Sequence, residues 1–455
     1  MRLEDLLDPN QSPPNAGSEE ELRQLIEEHH PEDIAQKLME TGRVEHVLSA
    51  LASVSVSFAA EILERLPHDL QHQAIEALDD EQSVELLTRM APDDRADLVQ
   101  EMSDDRRKVL MARLRTAAPE VAREIRELAA HPEDSAGGLM TTDFVSLSPD
   151  KKVWEAIEEI RRLSRTEKAE TIYYIYVLYG QTLVGVLSLR QLLLADPSKI
   201  LEDVMIDRVV RVQPDDDQEV VADLIAKYDL SAVPVVNEQG EMLGLVTIDD
   251  VFDVVIEEAT EDLHRIGAVE PLRDSYFQTG FWAFVQKRLV WLLILFVGQL
   301  MTAVVMEAHD VVAIASLVTF IPLIIASGGN SGSQSSTLII RALAVGEMAP
   351  GDWWKVAGRE LGMGLALGLV LGTVGLLRAA FFGTAPSMEL AITVGTSITL
   401  VVTAGTLVGS LLPLAIQRVG FDPAVSSTPF IASLVDVLGL VIYFAIAALI
   451  FGVAL

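Results

Sequence analysis

The sequence predicts a multi-domain chain: an α-helical superhelix, then a tandem α+β repeat, then an all-α membrane domain of five helices. Three observations carry this prediction. Charge and hydropathy are segregated along the chain, a 12-residue helical repeat runs through the first part, and a longer duplication fills the middle. Of 455 residues, 67 are acidic and 34 basic, a formal charge of −33, yet mean hydropathy is +0.32. Residues 281–455 hold 8 acids and 7 bases, leaving 59 acids and 27 bases in residues 1–280. One part is acidic and water-facing, the other apolar. That excludes a plain globular enzyme, and nucleic acid is excluded as a partner because phosphate binding needs a basic face. With no Cys, disulfides, thiolate metal sites and Cys nucleophiles are excluded too.

Residues 1–20, containing QSPPNAGSEEE, read as a flexible leader, and no signal peptide is expected because no apolar run is N-terminal. The helical N-domain is placed at 21–135. Within it Leu66-Pro67-His68-Asp69, Leu78-Asp79-Asp80-Glu81, Met90-Ala91-Pro92-Asp93 and Met102-Ser103-Asp104-Asp105 recur every 12 residues. Each unit is an apolar helix end, a Pro, Ser or Asp cap, and the next short amphipathic helix. Two units make a helical hairpin, and stacked hairpins make a solenoid-like superhelix. His68 and His72 share a helix face, but no adjacent carboxylate marks them as metal ligands, so they read as exposed.

The second duplication pairs LMTTDFVSLSPDKKVWEAIEEIRR with VMIDRVVRVQPDDDQEVVADLIAKY, offset by 65 residues, and Gly185-Val186-Leu187-Ser188 with Gly244-Leu245-Val246-Thr247, offset by 59. Each copy, at 136–200 and 201–258, reads strand, helix, strand, strand, helix. The pattern resembles a tandem of CBS domains, which commonly sense nucleotides or ions. Residues 249–262 read as one helix with acids at 250, 253, 257, 258, 261 and 262. Like charges at that spacing repel, and a cation would relieve the repulsion. Carboxylates with few His and no Cys select hard cations such as Mg²⁺ or Ca²⁺. A solvated acidic face is the alternative, and no EF-hand pattern is present.

The membrane domain, 282–455, offers five apolar segments near 289–306, 311–327, 361–381, 390–416 and 429–455. Lys287, Arg288, Arg341, Lys355, Arg359 and Arg418 fall on one side, so the N-terminus is expected in the cytoplasm and the C-terminus outside. Asp436 lies well inside the last span, where a carboxylate should face a cavity, a partner or an ion. The second span runs into SGGNSGSQSS (327–336), read as non-helical polar backbone lining a path or as a simple loop. Without a following Lys it is no phosphate loop, and no nucleophile motif marks an enzyme. Glu307 and Asp310 read as solvated, and Glu360 as an interfacial partner of Arg359.

AGGLMT, TIYYIYV (171–177), ATEDLHRIGAVE (259–270), SGGNSGSQSSTLIIRALA and SLVDVLGL, in this order of parts, resemble the MgtE family of magnesium channels over essentially the whole chain. The resemblance implies a plasma-membrane homodimer set in lipid, with a Mg²⁺ pore lined by the second and fifth spans. It implies an ion site at Asp436 with Ala432, and Gly328, Gly329, Asn330, Ser333 and Thr428 along the pore or its gate. Family members often carry Asn where Ser333 and Thr428 stand. Regulatory Mg²⁺ sites would use Asp217, Glu219, the Ala226 carbonyl, Asp229, Asp250, Asp253, Glu258, Glu261 and Asp262, faced by Glu61 and Asp93. A connecting helix, 259–281, would plug the pore. Whether the CBS pair takes ATP, and how Mg²⁺ is selected over Mn²⁺, Co²⁺ and Ni²⁺, stay open. So do two other readings, a non-conducting CBS-containing sensor and a divalent-cation transporter of broader selectivity.

Overall fold

Helices α1 (Pro31–Thr41), α2 (Val44–Ser53), α3 (Val56–Glu64), α4 (His68–Ala77), α5 (Asp80–Arg89), α6 (Pro92–Glu101), α7 (Asp104–Ala117) and α8 (Pro119–Leu128) follow the 12-residue repeat. The computed structural model describes residues 26, 28–163, 173–272, 279–308, 315–382 and 387–452, so the leader lies outside the described residues. Each helix packs on the one two further along, α1 on α3, α3 on α5 and α5 on α7, with α2, α4, α6 and α8 forming the second layer. The turns are built by caps. Asp79 takes the backbone N–H groups of Glu81 and Gln82, both at 2.9 Å, in a reciprocal capping box with Gln82, and Pro92 and Pro119 stand in the first turns of their helices. Arg106 ties the layers together. It donates to Asp80 (2.5 Å), to the carbonyls of Ile75 and Leu78, and to Ser83 Oγ.

The AGG junction follows directly. Ala136 and Gly137 donate to the carbonyls of Asp216 and Pro214 at 2.7 and 2.9 Å. A Cβ at Gly138 would stand 2.3 Å from the Pro132 carbonyl, so only glycine fits there. The first CBS-like copy contains β1 (Ser146–Leu147), α9 (Val153–Leu163), β2 (Tyr174–Tyr179), β3 (Thr182–Ser188) and α10 (Leu189–Leu194), with sheet order β1-β2-β3. The second contains α11 (Gln218–Tyr228), β4 (Ala232–Val236), β5 (Met242–Thr247) and α12 (Ile248–Ile266). Its expected first strand is reduced to a single bridge, Val212 to Val235. Each glycine admits the other copy: a Cβ at Gly185 would strike Met205, and one at Gly244 would strike the Thr141 carbonyl with Met140 close behind. Backbone bridges Val186–Ile206 and Thr141–Leu245 hold the same two crossings. The equivalent glycines are therefore the places where the other copy's chain comes closest.

The chain divides into two units, Met1–Ile256 and Glu257–Leu455. The helix expected over 259–281 is corrected. α12 already begins at Ile248 and ends at Ile266, because Ala268 turns into the left-handed region (φ 56°) after Gly267, and 273–278 lie outside the described residues.

The second unit contains α13 (Phe281–Glu307), α14 (Ala315–Val318), α15 (Ile321–Ala344), α16 (Trp353–Phe382), α17 (Met388–Arg418) and α18 (Thr428–Phe451). Among the described residues four helices, α13, α16, α17 and α18, are long and apolar enough to cross a membrane. Helix α15 is diluted by SGGNSGSQSS, which is helical throughout, contrary to the non-helical reading. A helix satisfies the backbone's hydrogen bonds within the segment itself, and the small residues serve packing. A Cβ at Gly405 would lie 2.5 Å from the Gly328 carbonyl, and one at Gly409 would lie 2.1 Å from that of Gly332, so α15 and α17 touch backbone to backbone. Gly368 and Gly372 open α16 to Thr399 in the same way, and Thr399 Oγ1 donates to the Gly368 carbonyl at 3.0 Å. Glu360 is corrected from an interfacial ion-pair partner: it is buried and accepts from Ser335 Oγ at 3.0 Å. Asp310 lies outside the described residues.

Candidate metal centre

Asp436 sits in the middle of α18, half-buried. Three neighbours define its surroundings. Gln299 of α13 donates from Nε2 to Oδ2 at 3.1 Å. Gly329 of α15 faces Oδ1, and its missing side chain matters, since a Cβ there would lie 3.3 Å from Oδ1 and 3.5 Å from Ala432 Cβ. Ala432, one turn before Asp436, is small for the same reason. Gly328, the adjacent residue, packs elsewhere: a Cβ would collide with Val401 of α17 at 2.5 Å. Thus one Gly locks α15 to α17 while the next leaves an open lone pair on Asp436. Asn330 is exposed on the same helix.

Toward the start of α18 a hydroxyl ladder continues the site. Ser333 Oγ donates to the Thr428 carbonyl at 3.1 Å, and Thr428 Oγ1 donates to the Ile266 carbonyl at 3.2 Å. The sequence-predicted gate residues Ser333 and Thr428 are therefore in contact, and they meet the end of α12. Arg265, in the last turn of α12, pairs with Glu261 and with Asp422. Asp262 is held above the usual carboxylate range by partial burial first, then by the charges of Asp422 and Glu258.

In the first unit the predicted regulatory acids divide. Asp250 is pushed up to about 6 mainly by burial, although Thr247 Oγ1 donates to it at 2.5 Å. Asp97, one turn after Asp93 in α6, is pushed up to about 7 by burial and by the charge of Glu133, with Asp250 contributing. Asp93 is buried, whereas Glu61, Glu219 and Asp253 are exposed. Asp217 caps α11, accepting from Glu219 N at 2.9 Å. Asp229 closes the same helix in the left-handed region (φ 52°), three residues after the Ala226 carbonyl, at the negative end of the helix dipole. No three His, Asp or Glu side chains converge as a preformed ion site among the described residues. The acids meet as pairs, Asp97 with Asp250 and Asp262 with Asp422.

Sequence reasoning missed several of these residues. Gln299 is a neutral amide in an apolar span, and only its partner gives it meaning. Asp97 was signalled by its spacing from Asp93. His68 is exposed as read and His72 is partly buried, and because Glu101 is remote in sequence nothing local showed that His68 Nδ1 and His72 Nε2 both meet Glu101 Oε2, at 3.0 and 2.9 Å. That shared bond raises His68 and holds Glu101 well below its usual range.

A helical acidic domain, a CBS pair and a bundle of apolar helices with one half-buried carboxylate among small residues define a membrane transporter for a divalent cation with a large acidic, CBS-bearing half. The comparisons agree at every part. The MgtE intracellular N domain family matches residues 29–134, the CBS domain family 136–198 and 201–257, and the MgtE family, described as a divalent cation transporter, 321–446. The magnesium transporter MgtE of Thermus thermophilus is 38% identical over 436 residues, covering 95% of this chain and 96% of its own length. That of Bacillus subtilis is 31% identical over 435 residues, covering 95% and 94%. The soluble part of a magnesium transporter, solved as a crystal structure, aligns at 29% identity with a TM-score of 0.50, over 56% of this chain and 96% of that one. The chain belongs to the MgtE family of magnesium transporters, and it is a transporter, not an enzyme.

Proposed function

We propose that this chain is a plasma-membrane Mg²⁺ channel conducting passively through a homodimeric pore, with a cytoplasmic N-terminus and an external C-terminus. The second span includes α15, so five helices cross the membrane. The observation that carries the reading is Asp436, with Oδ1 left open by Gly329 and Oδ2 held by Gln299. Mg²⁺ gives up water reluctantly and is usually bound through one or two carboxylates plus several waters. A two-fold axis beside α18 would present two Asp436 carboxylates to one hydrated ion, which selects charge without full dehydration. Asp436→Ala is expected to abolish Mg²⁺ uptake by liposomes while the protein elutes at the same size. Undiminished uptake would refute the assignment.

Closure by cytoplasmic Mg²⁺ follows from the acids. Glu61, Asp93, Asp217, Glu219, the Ala226 carbonyl, Asp229, Asp250, Asp253, Glu258, Glu261 and Asp262 would bind Mg²⁺ as regulator. Ions bridging them favour the closed arrangement, and repulsion between carboxylates opens it when Mg²⁺ falls. The end of α12, tied to Thr428 and Asp422, is the element that leans on the gate.

A second ligand has its own observation. A cleft of about 530 Å³ between the CBS copies is lined by Tyr174, Arg190, Arg208, Tyr228 and Asp229 among others. Two guanidiniums and two aromatic rings suit the phosphates and base of ATP. Calorimetry with ATP on the wild type and on R190A/R208A tests this, and equal heats would remove ATP as a partner.

A further inference from the structure

Arg265 carries an inference that rests on the gating reading above. Two carboxylates, Glu261 and Asp422, pair with this one guanidinium at the end of α12, and Asp262 next to Glu261 feels the charge of Asp422. Asp422 is held in place: Oδ1 accepts from Ala424 N at 2.7 Å, capping the turn before α18, and this leaves Oδ2 for Arg265. Arg265, Glu261 and Asp422 are each only about one-third exposed or less, with side-chain values of 35%, 25% and 31%. The bridge runs beside the hydroxyl contact from Thr428 to Ile266, so both fasten the same end of α12 to the same segment, 422–428. A guanidinium is planar, permanently charged and able to bond two carboxylates at once.

We propose that Arg265 is a positioning residue of the gate, a built-in cation that holds α12 against the 422–428 segment and thereby sets how much Mg²⁺ is needed for closure. Unlike a divalent ion it cannot dissociate, so part of the carboxylate repulsion is cancelled even when Mg²⁺ is low. With Arg265 the bridged group carries a formal charge of 1 − 2 = −1, and without it −2. Closure must then recruit more divalent charge. The half-closing Mg²⁺ concentration rises, and the closing curve steepens.

The test is Mg²⁺ flux into liposomes as a function of Mg²⁺ on the cytoplasmic face, for wild type, Arg265→Gln and Arg265→Lys. Arg265→Gln is expected to raise the half-closing concentration roughly threefold to tenfold, within the usual span of a coupling between sites, with unchanged flux at the lowest Mg²⁺. Arg265→Lys, which keeps the charge but loses the fork, should fall between the two, and it carries the test alone should the Gln variant not fold. A half-closing concentration that stays put or falls in the variants overturns the inference while leaving Mg²⁺ gating intact. A wild type that never closes with Mg²⁺ overturns the gating reading itself.

Discussion

Substituting Gly329 by Ala separates the ion site from the fold. The added methyl carbon would lie 3.3 Å from Asp436 Oδ1 and 3.5 Å from Ala432 Cβ, close but relieved by a shift of a few tenths of an ångström in a carboxylate. Helix α15 should tolerate it, because Ala is favoured over Gly within a helix by about 0.8–1 kcal/mol. The space lost is the space in which a water of a hydrated ion would sit, donating to Oδ1 at about 2.7 Å. A methyl 3.3 Å from Oδ1 takes up space beside that lone pair and crowds the water. Losing one hydrogen bond to a charged group costs about 1.5–3 kcal/mol, which is roughly 10- to 100-fold in ion binding. The assay is Mg²⁺ influx into liposomes alongside thermal unfolding of the purified protein. Expected are a drop in influx of that size and an unfolding temperature equal to or above wild type. Full influx from a normally folded Gly329→Ala protein would show that Oδ1 does not face the ion.

Three further predictions follow from the same contacts. Gly409→Ala places a methyl 2.1 Å from the Gly332 carbonyl, a backbone atom that cannot swing away, so it should lower the yield of folded protein where Gly329→Ala does not; size-exclusion profiles of the two variants decide it. Gln299→Leu removes the donor to Asp436 Oδ2 and should reduce Mg²⁺ influx without loss of fold, and equal influx would demote Gln299 to a packing residue. Asp97 has its pKa raised to about 7 and His68 is also raised. Both groups therefore bind protons more tightly in the folded chain, and the stability they contribute is present at low pH and lost as pH climbs through their folded values. In metal-free buffer the unfolding temperature of the first unit should fall between pH 6 and pH 8, following the value of about 7, and Asp97→Asn should flatten the fall; a rise over that interval contradicts the burial of Asp97.

The architecture was legible because each part repeats or segregates. A 12-residue cap spacing specifies stacked short helices, and two copies of one β-α-β pattern specify a pair. Asp436 was legible because a lone acid among apolar residues has few reasons to be there. What stayed hidden depends on partners far apart in sequence. Nothing local tells that Gln299 meets Asp436 137 residues on, or that Glu101 collects both His68 and His72. SGGNSGSQSS misled for a physical reason: Gly and Ser are poor helix formers in water, but in a membrane-spanning bundle the backbone must bond to itself, and small residues let helices close up. Gly267 could have marked the end of α12, since glycine commonly closes helices, although here it is Ala268 that takes the left-handed conformation.

The central claim is that the acidic half senses Mg²⁺ and closes a pore that Asp436 lines. It is tested most directly by reconstituting the full chain in liposomes and following Mg²⁺ flux while Mg²⁺ on the cytoplasmic face is stepped upward. Flux that is high at low cytoplasmic Mg²⁺, shuts as it rises, and vanishes at every concentration in Asp436→Ala is the expected result. Flux indifferent to cytoplasmic Mg²⁺, or surviving the loss of Asp436, contradicts the account.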